Sequence, residues 1–282
     1  MNESNGLDAL LPAEIARRAE ALGASKVRTD PVRLLVLAVL AGAFIALGGM
    51  FATTVLAGAE GALPFGVSRL LAGLVFGLGL VLVVLGGAEL FTGNTLMVMA
   101  LAAGHIRPGE MLRAWAIVYA GNFLGACGTA VLVLLSGQYL AGDGAVARVA
   151  LGLAQAKSAL PFDRAFFLGI LCNVLVCLAV WMSLGARGTA DKVAAMLLPV
   201  AAFVAAGFEH SVANMYFIPL GLLIRDFAPE ALWLQLGAAP ALSWWGLLHN
   251  LVPVTLGNLV GGGALVGGVY WFVYLRGRPP GA

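Results

Sequence analysis

The sequence predicts an all-α polytopic membrane protein with six transmembrane spans, arranged as two inverted three-span repeats in which spans 2 and 5 are interrupted. Three observations predict it: the composition, the spacing of the charged residues, and a motif that occurs twice. Of 282 residues, 61% are apolar and 11% are charged, and mean hydropathy is +0.96. Soluble domains contain roughly 25% charged residues. A soluble enzyme is therefore excluded, and a net charge of +2 gives no indication of nucleic-acid binding.

The first domain is a polar segment over residues 1–30, which lacks the apolar stretch of a signal peptide. Residues 12–22 predict a short amphipathic helix, because a proline stands near its start and Gly23 follows its end. A solvated tail is the alternative, since short isolated helices are marginally stable.

Long uncharged stretches predict spans 1, 3, 4 and 6 at residues 34–58, 112–137, 164–186 and 247–275. Two more apolar regions, 66–104 and 191–224, are too long for one straight crossing, and each has a lone glutamate near its middle. Counting each as one interrupted span gives a six-span channel domain over residues 31–276 and a short tail over 277–282. Residues 138–163 are predicted to form the longest external loop.

Lysine and arginine residues are distributed unequally between the two predicted sides. Eleven flank the spans on the side of the N-terminus and five on the other side. Because positive charge accumulates on the cytoplasmic side, both termini are predicted to be cytoplasmic. The protein itself is predicted to lie in the cell inner membrane.

The sequence around the two glutamates repeats as G-x-E-x-x-x-x-N, at residues 87–94 and 207–214. A second motif, G-N-x-x-G, occurs in span 3 at 121–125 and in span 6 at 257–261. Each half has three spans, an odd number, so the second half must cross in the opposite sense. Transporters of this design bind substrate where the interrupted helices meet.

We interpret one set of residues at the interruptions as structural: Gly87, Glu89, Asn94, Gly207 and Glu209. The glycines let the backbone leave the helix. The carboxylates are expected to accept from the freed amides, and the asparagines to cap the next half-helix. A substrate-binding role for the glutamates is the alternative, because ionisable groups within a membrane are commonly functional. The half-helix N-termini favour an anion.

His210 is the strongest functional candidate, since it lies inside the second interruption and imidazole titrates near neutral pH. It is a plausible proton donor to a weak acid, and the alternative is a hydrogen-bonded structural group. Thr92, in the first interruption, is expected to reach it. Lys157, before span 4, is either an interfacial lysine or a cation that attracts anions.

Residues 90–94 (LFTGN) and 207–215 (GFEHSVANM) closely resemble the formate–nitrite transporter family, and the likeness extends over about residues 12–276. The resemblance implies an aquaporin-like protomer fold, a homopentamer with one pore in each protomer, and no cofactor. Residues 218–227 resemble the formate branch, whereas Gly93-Asn94 is more typical of the nitrite branch. Glycines in spans 1 and 6, namely Gly42, Gly48, Gly49, Gly261, Gly262 and Gly263, also indicate close packing against other helices, which agrees with a pentamer.

The resemblance also implies roles by position. The central group would be His210, Thr92 and Asn214. The inner constriction would be lined by Leu90, Phe91 and Val176. The outer constriction would be lined by Phe76, Leu80 and Phe203. Lys157, Asn173 and Asn258 would be polar pore residues.

The predicted function is a channel or transporter for a small monovalent anion, with protonation near His210. Formate is the favoured substrate. Nitrite and hydrosulfide are the alternatives within the family. An aquaporin-type channel for neutral solutes is disfavoured because no Asn-Pro-Ala motif stands at the interruptions. An intramembrane enzyme is disfavoured because the ionisable residues are scattered.

Overall fold

The computed structural model describes residues 9–277, so residues 1–8 of the N-terminal segment and 278–282 of the predicted tail lie outside the described part. The helices in chain order are α1 (Pro12–Val27), α2 (Pro31–Leu56), α3 (Phe65–Gly86), α4 (Phe91–Asn94), α5 (Val98–Ala102), α6 (Pro108–Leu135), α7 (Ala145–Ser158), α8 (Phe162–Gly185), α9 (Thr189–Ala205), α10 (Ser211–Phe227), α11 (Glu230–Leu236), α12 (Trp244–Asn258) and α13 (Val269–Tyr274). Turns of 3-10 helix connect α4 to α5 and precede α7, and a π-helix (Leu259–Gly268) joins α12 to α13.

The predicted all-α, six-span architecture is confirmed. Within residues 9–277, five helical runs are long and apolar enough to cross a membrane: α2, α3, α6, α8 and the continuous run Trp244–Tyr274. Span 5 is divided into α9 and α10, each of 17 residues. Span 2 consists of α3 and, after a break, the short apolar stretch Phe91–Ala102. The two interruptions therefore lie in spans 2 and 5, as the repeated motif predicts.

Helix α1 is longer than the sequence suggested and is docked against the spans. It continues past Gly23 to Val27, so the prediction that it ends before Gly23 is wrong. Gly23 lies at a close contact instead, where an added Cβ would be 3.2 Å from the Cα of Met97 and from the Cβ of Ala100. The buried side of α1 packs against Met99 and Trp181. Tertiary packing of one face thus stabilises a helix that would be marginal alone.

The predicted external loop over 138–163 contains a 14-residue helix, α7, which packs against α10. Ala147, Ala150 and Ala154 are buried on its inner face. The contact is close because Gly221 of α10 faces it, and a Cβ added there would be 2.3 Å from the Cβ of Ala154. Lys157 is thereby placed on a folded element, near the end of α7.

The same helix contact occurs once in each repeat. Spans 1 and 3 approach so closely that a Cβ at Gly42 would be 2.1 Å from the carbonyl oxygen of Asn122. Spans 4 and 6 do likewise, where a Cβ at Gly257 would be 2.2 Å from the carbonyl oxygen of Phe166. Backbone atoms cannot rotate away as side chains do, so only glycine fits these crossings.

The glycines that the sequence assigned to packing against other helices meet residues of their own chain. Gly48 lies against Phe76 and Gly79, Gly49 against Tyr216, Gly261 against Ile170, Gly262 against Thr95 and Asn173, and Gly263 against Val98. Together with Gly42, they are accounted for by packing inside one protomer. Their use as an argument for a pentamer is therefore wrong.

We predict that Gly42→Ala destabilises the folded protein by about 1–3 kcal/mol, because the added methyl overlaps backbone atoms of span 3. Gly152→Ala is the matched control, since nothing beyond the local backbone of α7 lies within 4 Å of its Cβ position. Alanine is expected to stabilise that helix by roughly 0.5–1 kcal/mol. Thermal unfolding in detergent measures both, and equal stability of the two variants would contradict the packing argument.

Candidate translocation site

Each interrupted helix ends at a glycine in the left-handed conformation. Gly87 has φ 74° after α3, and Gly207 has φ 74° after α9. In both breaks, the next amide bonds back to the helix: Ala88 N to Val83 O at 2.9 Å, and Phe208 N to Phe203 O at 2.9 Å. This is the hydrogen bond of a glycine-terminated helix end, and it turns the chain out of the helix at membrane depth.

One asparagine from the neighbouring span holds each break. Asn122 Oδ1 accepts from Phe91 N at 2.9 Å, while its Nδ2 donates to Ala38 O at 2.7 Å and to Glu89 O at 2.9 Å. Asn258 repeats this pattern in the other half. Its Oδ1 accepts from Ser211 N at 3.0 Å, and its Nδ2 donates to Gly169 O at 2.8 Å and Glu209 O at 3.0 Å.

One further amide in each break bonds to the first span of its repeat. Glu89 N donates to Leu37 O at 3.1 Å, and Glu209 N donates to Leu168 O at 3.3 Å. The sequence-based expectation that the glutamate carboxylates accept from the freed amides is therefore wrong. The acceptors are instead backbone carbonyls and the two asparagines of the G-N-x-x-G motif, which reach the break from a packed neighbouring helix.

The glutamate carboxylates take part instead in two lysine–glutamate–asparagine clusters. Lys26 Nζ lies 2.9 Å from Glu89 Oε2, which also accepts from Asn94 Nδ2 at 2.8 Å. At the other break, Lys157 Nζ lies 2.8 Å from Glu209 Oε1, and Asn214 Nδ2 donates to Glu209 Oε2 at 2.6 Å.

These contacts also decide what the asparagine side chains do. Neither Asn94 nor Asn214 caps a half-helix through its side chain, so that expectation is wrong as well. Both are used as donors to the glutamate of their own break.

The cluster at Lys157 is the more buried of the two. The Lys157 and Glu209 side chains are 14% and 5% exposed, against 29% and 13% for Lys26 and Glu89. Asn250 adds to this cluster, since it accepts from Asn214 Nδ2 at 2.7 Å and donates to Lys157 O at 2.9 Å. Lys157 is therefore a partner of a buried carboxylate and not a free interfacial lysine.

His210 and Thr92 join the two breaks. His210 Nε2 lies 3.0 Å from Thr92 Oγ1, and both side chains are buried. The other ring nitrogen, Nδ1, accepts from Ala213 N at 3.0 Å and caps α10. Because a backbone amide only donates, Nδ1 carries no proton. The imidazole in this structure is neutral, and its Nε2–H donates to Thr92.

Thr92 is held in place by span 4. Its carbonyl oxygen accepts from Thr95 Oγ1 at 2.7 Å and from Asn173 Nδ2 at 3.2 Å. Asn173 Nδ2 also lies 2.6 Å from Asn258 O. Asn173 thus connects the first break to the helix that holds the second break.

Two cavities of about 260 Å³ each lie on either side of the Thr92–His210 pair. We name them by their lysines. The Lys26 cavity is bordered by α1 and the first break, and includes Glu89, Leu90 and Asn94. The Lys157 cavity is bordered by the second break, and includes Arg69, Glu209 and His210.

The residues assigned to constrictions are distributed as follows. Phe76 and Phe203 border the Lys157 cavity, with their rings edge to face at 5.7 Å. Leu90 borders the Lys26 cavity, and so does Leu80, although the resemblance grouped Leu80 with the two phenylalanines. Phe91 packs on Tyr119 at 4.9 Å. Val176, Asn173 and Asn258 are buried outside the residues that border either cavity.

Sequence reasoning missed four residues of this site: Lys26, Arg69, Asn122 and Asn250. The sequence did contain an indication for Asn122, because the repeated G-N-x-x-G motif places it at the position equivalent to Asn258. The other three lie outside the repeated motifs, and only folding brings them to the breaks.

Two inverted three-span units, with broken helices meeting at a buried polar pair between two cavities, define a membrane channel or transporter. Comparison with known proteins agrees. The family model described as formate/nitrite transporter matches residues 13–272. The formate channel FocA of Escherichia coli K12 is 45% identical over 281 residues, covering 98% of each chain. A probable formate transporter of Methanothermobacter thermautotrophicus is 38% identical and covers 94% of this chain and 97% of its own length.

Solved structures show the same fold. A pentameric formate channel with formate bound has a TM-score of 0.82 at 43% identity, covering 87% of this chain and 98% of its own. An FNT family ion channel has a TM-score of 0.79 at 32% identity, covering 92% and 98%. The chain belongs to the formate/nitrite transporter family.

We predict that Asn258→Leu destabilises the protein strongly, because it removes the partner of Ser211 N and of Glu209 O, and the side-chain donor to Gly169 O. Each buried polar group left unpaired costs roughly 1–3 kcal/mol. Asn122→Leu is expected to have a similar effect at the first break. Gln138→Leu is the control, since its amide bonds to Thr54 on an exposed surface. Thermal unfolding in detergent ranks the variants, and a midpoint for Asn258→Leu equal to that of the control would contradict this role.

Proposed function

We propose that this protein is a formate channel of the cell inner membrane, assembled as a homopentamer with one translocation path in each protomer. The observation that carries the proposal is the Thr92–His210 pair, which lies between two cavities that each contain a lysine. The relatives named above are formate channels, and one solved relative is a pentamer with formate bound. Nitrite and hydrosulfide are the alternative substrates.

The path requires the anion to lose its charge. Between the cavities it passes apolar side chains, among them Leu90 on one side and Phe203 on the other. Burying an unpaired charge there is very costly, whereas a neutral acid passes far more easily. A proton delivered at the midpoint removes most of that barrier.

His210 is placed to deliver that proton. Its neutral form is stabilised because Nδ1 caps α10, and the doubly protonated form would lose that hydrogen bond. An imidazolium formed beside an arriving anion is therefore a good donor through Nε2. The ring returns to its capped, neutral tautomer when Nδ1 then releases its proton and Nε2 takes one up through Thr92. Thr92 Oγ1, at 3.0 Å, orients the donor nitrogen and can exchange the proton with it.

The two lysines attract anions into the cavities without binding them tightly. Each is paired with a glutamate, so neither holds an anion as a bare ammonium group would. An arriving carboxylate competes with Glu89 or Glu209 for the ammonium protons, which gives weak and reversible binding. Weak binding at each end is what rapid passage through a channel requires.

We predict that His210→Asn keeps the pentamer but loses proton-coupled formate uptake, because asparagine is close in size and does not titrate. His249→Asn is the matched control, since that histidine is exposed and borders neither cavity. Formate uptake into proteoliposomes and the internal pH are both recorded in experiments from about pH 5 to pH 8, the range where histidine titrates. If His210→Asn keeps the wild-type rate, pH profile and internal acidification, the proton-transfer role is wrong.

We predict that Lys157→Met lowers formate flux several-fold, because it leaves the Glu209 carboxylate unpaired and negative in the path of an anion. Removing the carboxylate as well, in Lys157→Met/Glu209→Gln, is expected to recover part of the flux. Lys192→Met, at a lysine that borders neither cavity, is the control. A double variant as inactive as the single one would show that repulsion by Glu209 is not the cause.

The Lys26 cavity is proposed to face the cytoplasm, with both termini on that side, because of the lysine and arginine distribution. Gly109 and Gly152 are exposed and lie on opposite sides of the spans, so Gly109→Cys and Gly152→Cys introduce one labelling site on each side. In intact cells, a membrane-impermeant maleimide is expected to label Gly152→Cys and to label Gly109→Cys only after permeabilisation. The wild type, with Cys127, Cys172 and Cys177, gives the background. The reverse labelling pattern would invert the proposed orientation.

A further inference from the structure

The two cavities differ in charge. The Lys26 cavity is bordered by one lysine and one glutamate, whose charges cancel within a 2.9 Å ion pair. The Lys157 cavity has the equivalent pair and, in addition, Arg69. Among the described residues that border this cavity, Arg69 thus supplies the surplus positive charge. At the repeat offset of 120 residues, its counterpart is Thr189, which is neutral.

Arg69 extends from the beginning of α3 to the second break. Its Nη2 donates to Val204 O at 2.5 Å, and its Nε lies 3.4 Å from Ala205 O. Both acceptors are carbonyls of the last turn of α9, immediately after Phe203. Arg69 therefore borders the same cavity as the Phe76–Phe203 contact.

These contacts leave part of the guanidinium unused. Arginine has five N–H donors, and the carbonyls of Val204 and Ala205 engage two of them. In the part of the chain that the structure describes, Arg69 forms no ion pair with a carboxylate. Gly207 also has no side chain to cover the group, since a Cβ there would lie 3.5 Å from Nη2.

A half-buried guanidinium with free donors is suited to a small carboxylate. Its planar fork matches two carboxylate oxygens, and such charge-assisted pairs are stronger than neutral hydrogen bonds. The apolar rings of Phe76 and Phe203 lower the local dielectric and strengthen the attraction. Anchoring to two backbone carbonyls holds the guanidinium in place before an anion arrives.

We propose that Arg69 is a carboxylate-binding site in the Lys157 cavity, which holds the anion beside the phenylalanine constriction before it reaches His210. This inference rests on the proposed function and adds an asymmetry to it, because no equivalent cation borders the Lys26 cavity among the residues that the structure describes. The site raises the local anion concentration on one side of the membrane only.

The test compares Arg69→Gln with the wild type in both directions of flux. Arg69→Gln is expected to raise the half-saturating formate concentration from the Lys157 side about tenfold, in the range of a hydrogen bond to a charged group. Half-saturation from the Lys26 side is expected to stay within twofold. Arg164→Gln, at an exposed arginine that borders neither cavity, is the control. Unchanged half-saturation, or an equal change in both directions, would overturn the proposal and leave Arg69 as a helix-capping group.

Direct binding separates this inference from the proposed function. Line broadening of ¹³C-formate by the purified protein reports binding without transport, and Arg69→Gln is expected to abolish most of it. Broadening that depends on Arg69 without any wild-type flux would reject the formate-channel function but keep the site. Broadening independent of Arg69 would reject the site. Arg69→Lys, which keeps the charge and a donor for the α9 carbonyls, is the fallback if Arg69→Gln does not assemble; it is expected to weaken formate binding about threefold through loss of the fork.

Discussion

The constraint on which this structure depends is the need to satisfy backbone groups where two helices break inside a membrane. No water is available there to replace helical hydrogen bonds. Asn122 and Asn258 meet the requirement with the same three hydrogen bonds in each repeat. Each asparagine reaches the break only because glycines bring its span within backbone contact of the neighbouring span. The close crossings and the breaks are thus one structural unit, present twice.

That unit determines the position of the functional groups. With the backbone held by asparagine, the side chains inside the breaks are free for other contacts. Glu89 and Glu209 pair with lysines, and Thr92 meets His210 across the pseudo-symmetry of the repeats. The cap from His210 to Ala213 links the protonation state of the imidazole to the end of α10. The proposed proton donor is thereby placed at the beginning of a helix, where it borders the Lys157 cavity.

The repeats are similar but not identical, and the differences lie in the cavities. One lysine comes from the N-terminal helix α1 and the other from α7, which precedes span 4. The Lys157 cluster is more buried and has Asn250 as an additional partner. Arg69 borders only that cavity. An inverted repeat therefore provides a symmetric frame whose two ends differ in charge and hydrogen bonding.

Much of this was accessible from the sequence, because membrane spans depend on local composition and the breaks depend on local motifs. Apolar runs, the doubled G-x-E-x-x-x-x-N motif and His210 inside it determined the span number, the inverted repeat and the central pair. Only the tertiary structure decided what each polar group contacts. Lys26 is 63 residues from Glu89 and Arg69 is 135 from Val204, yet both pairs are in contact. Such partners are set by helix packing over long chain separations, which neither periodicity nor spacing reports.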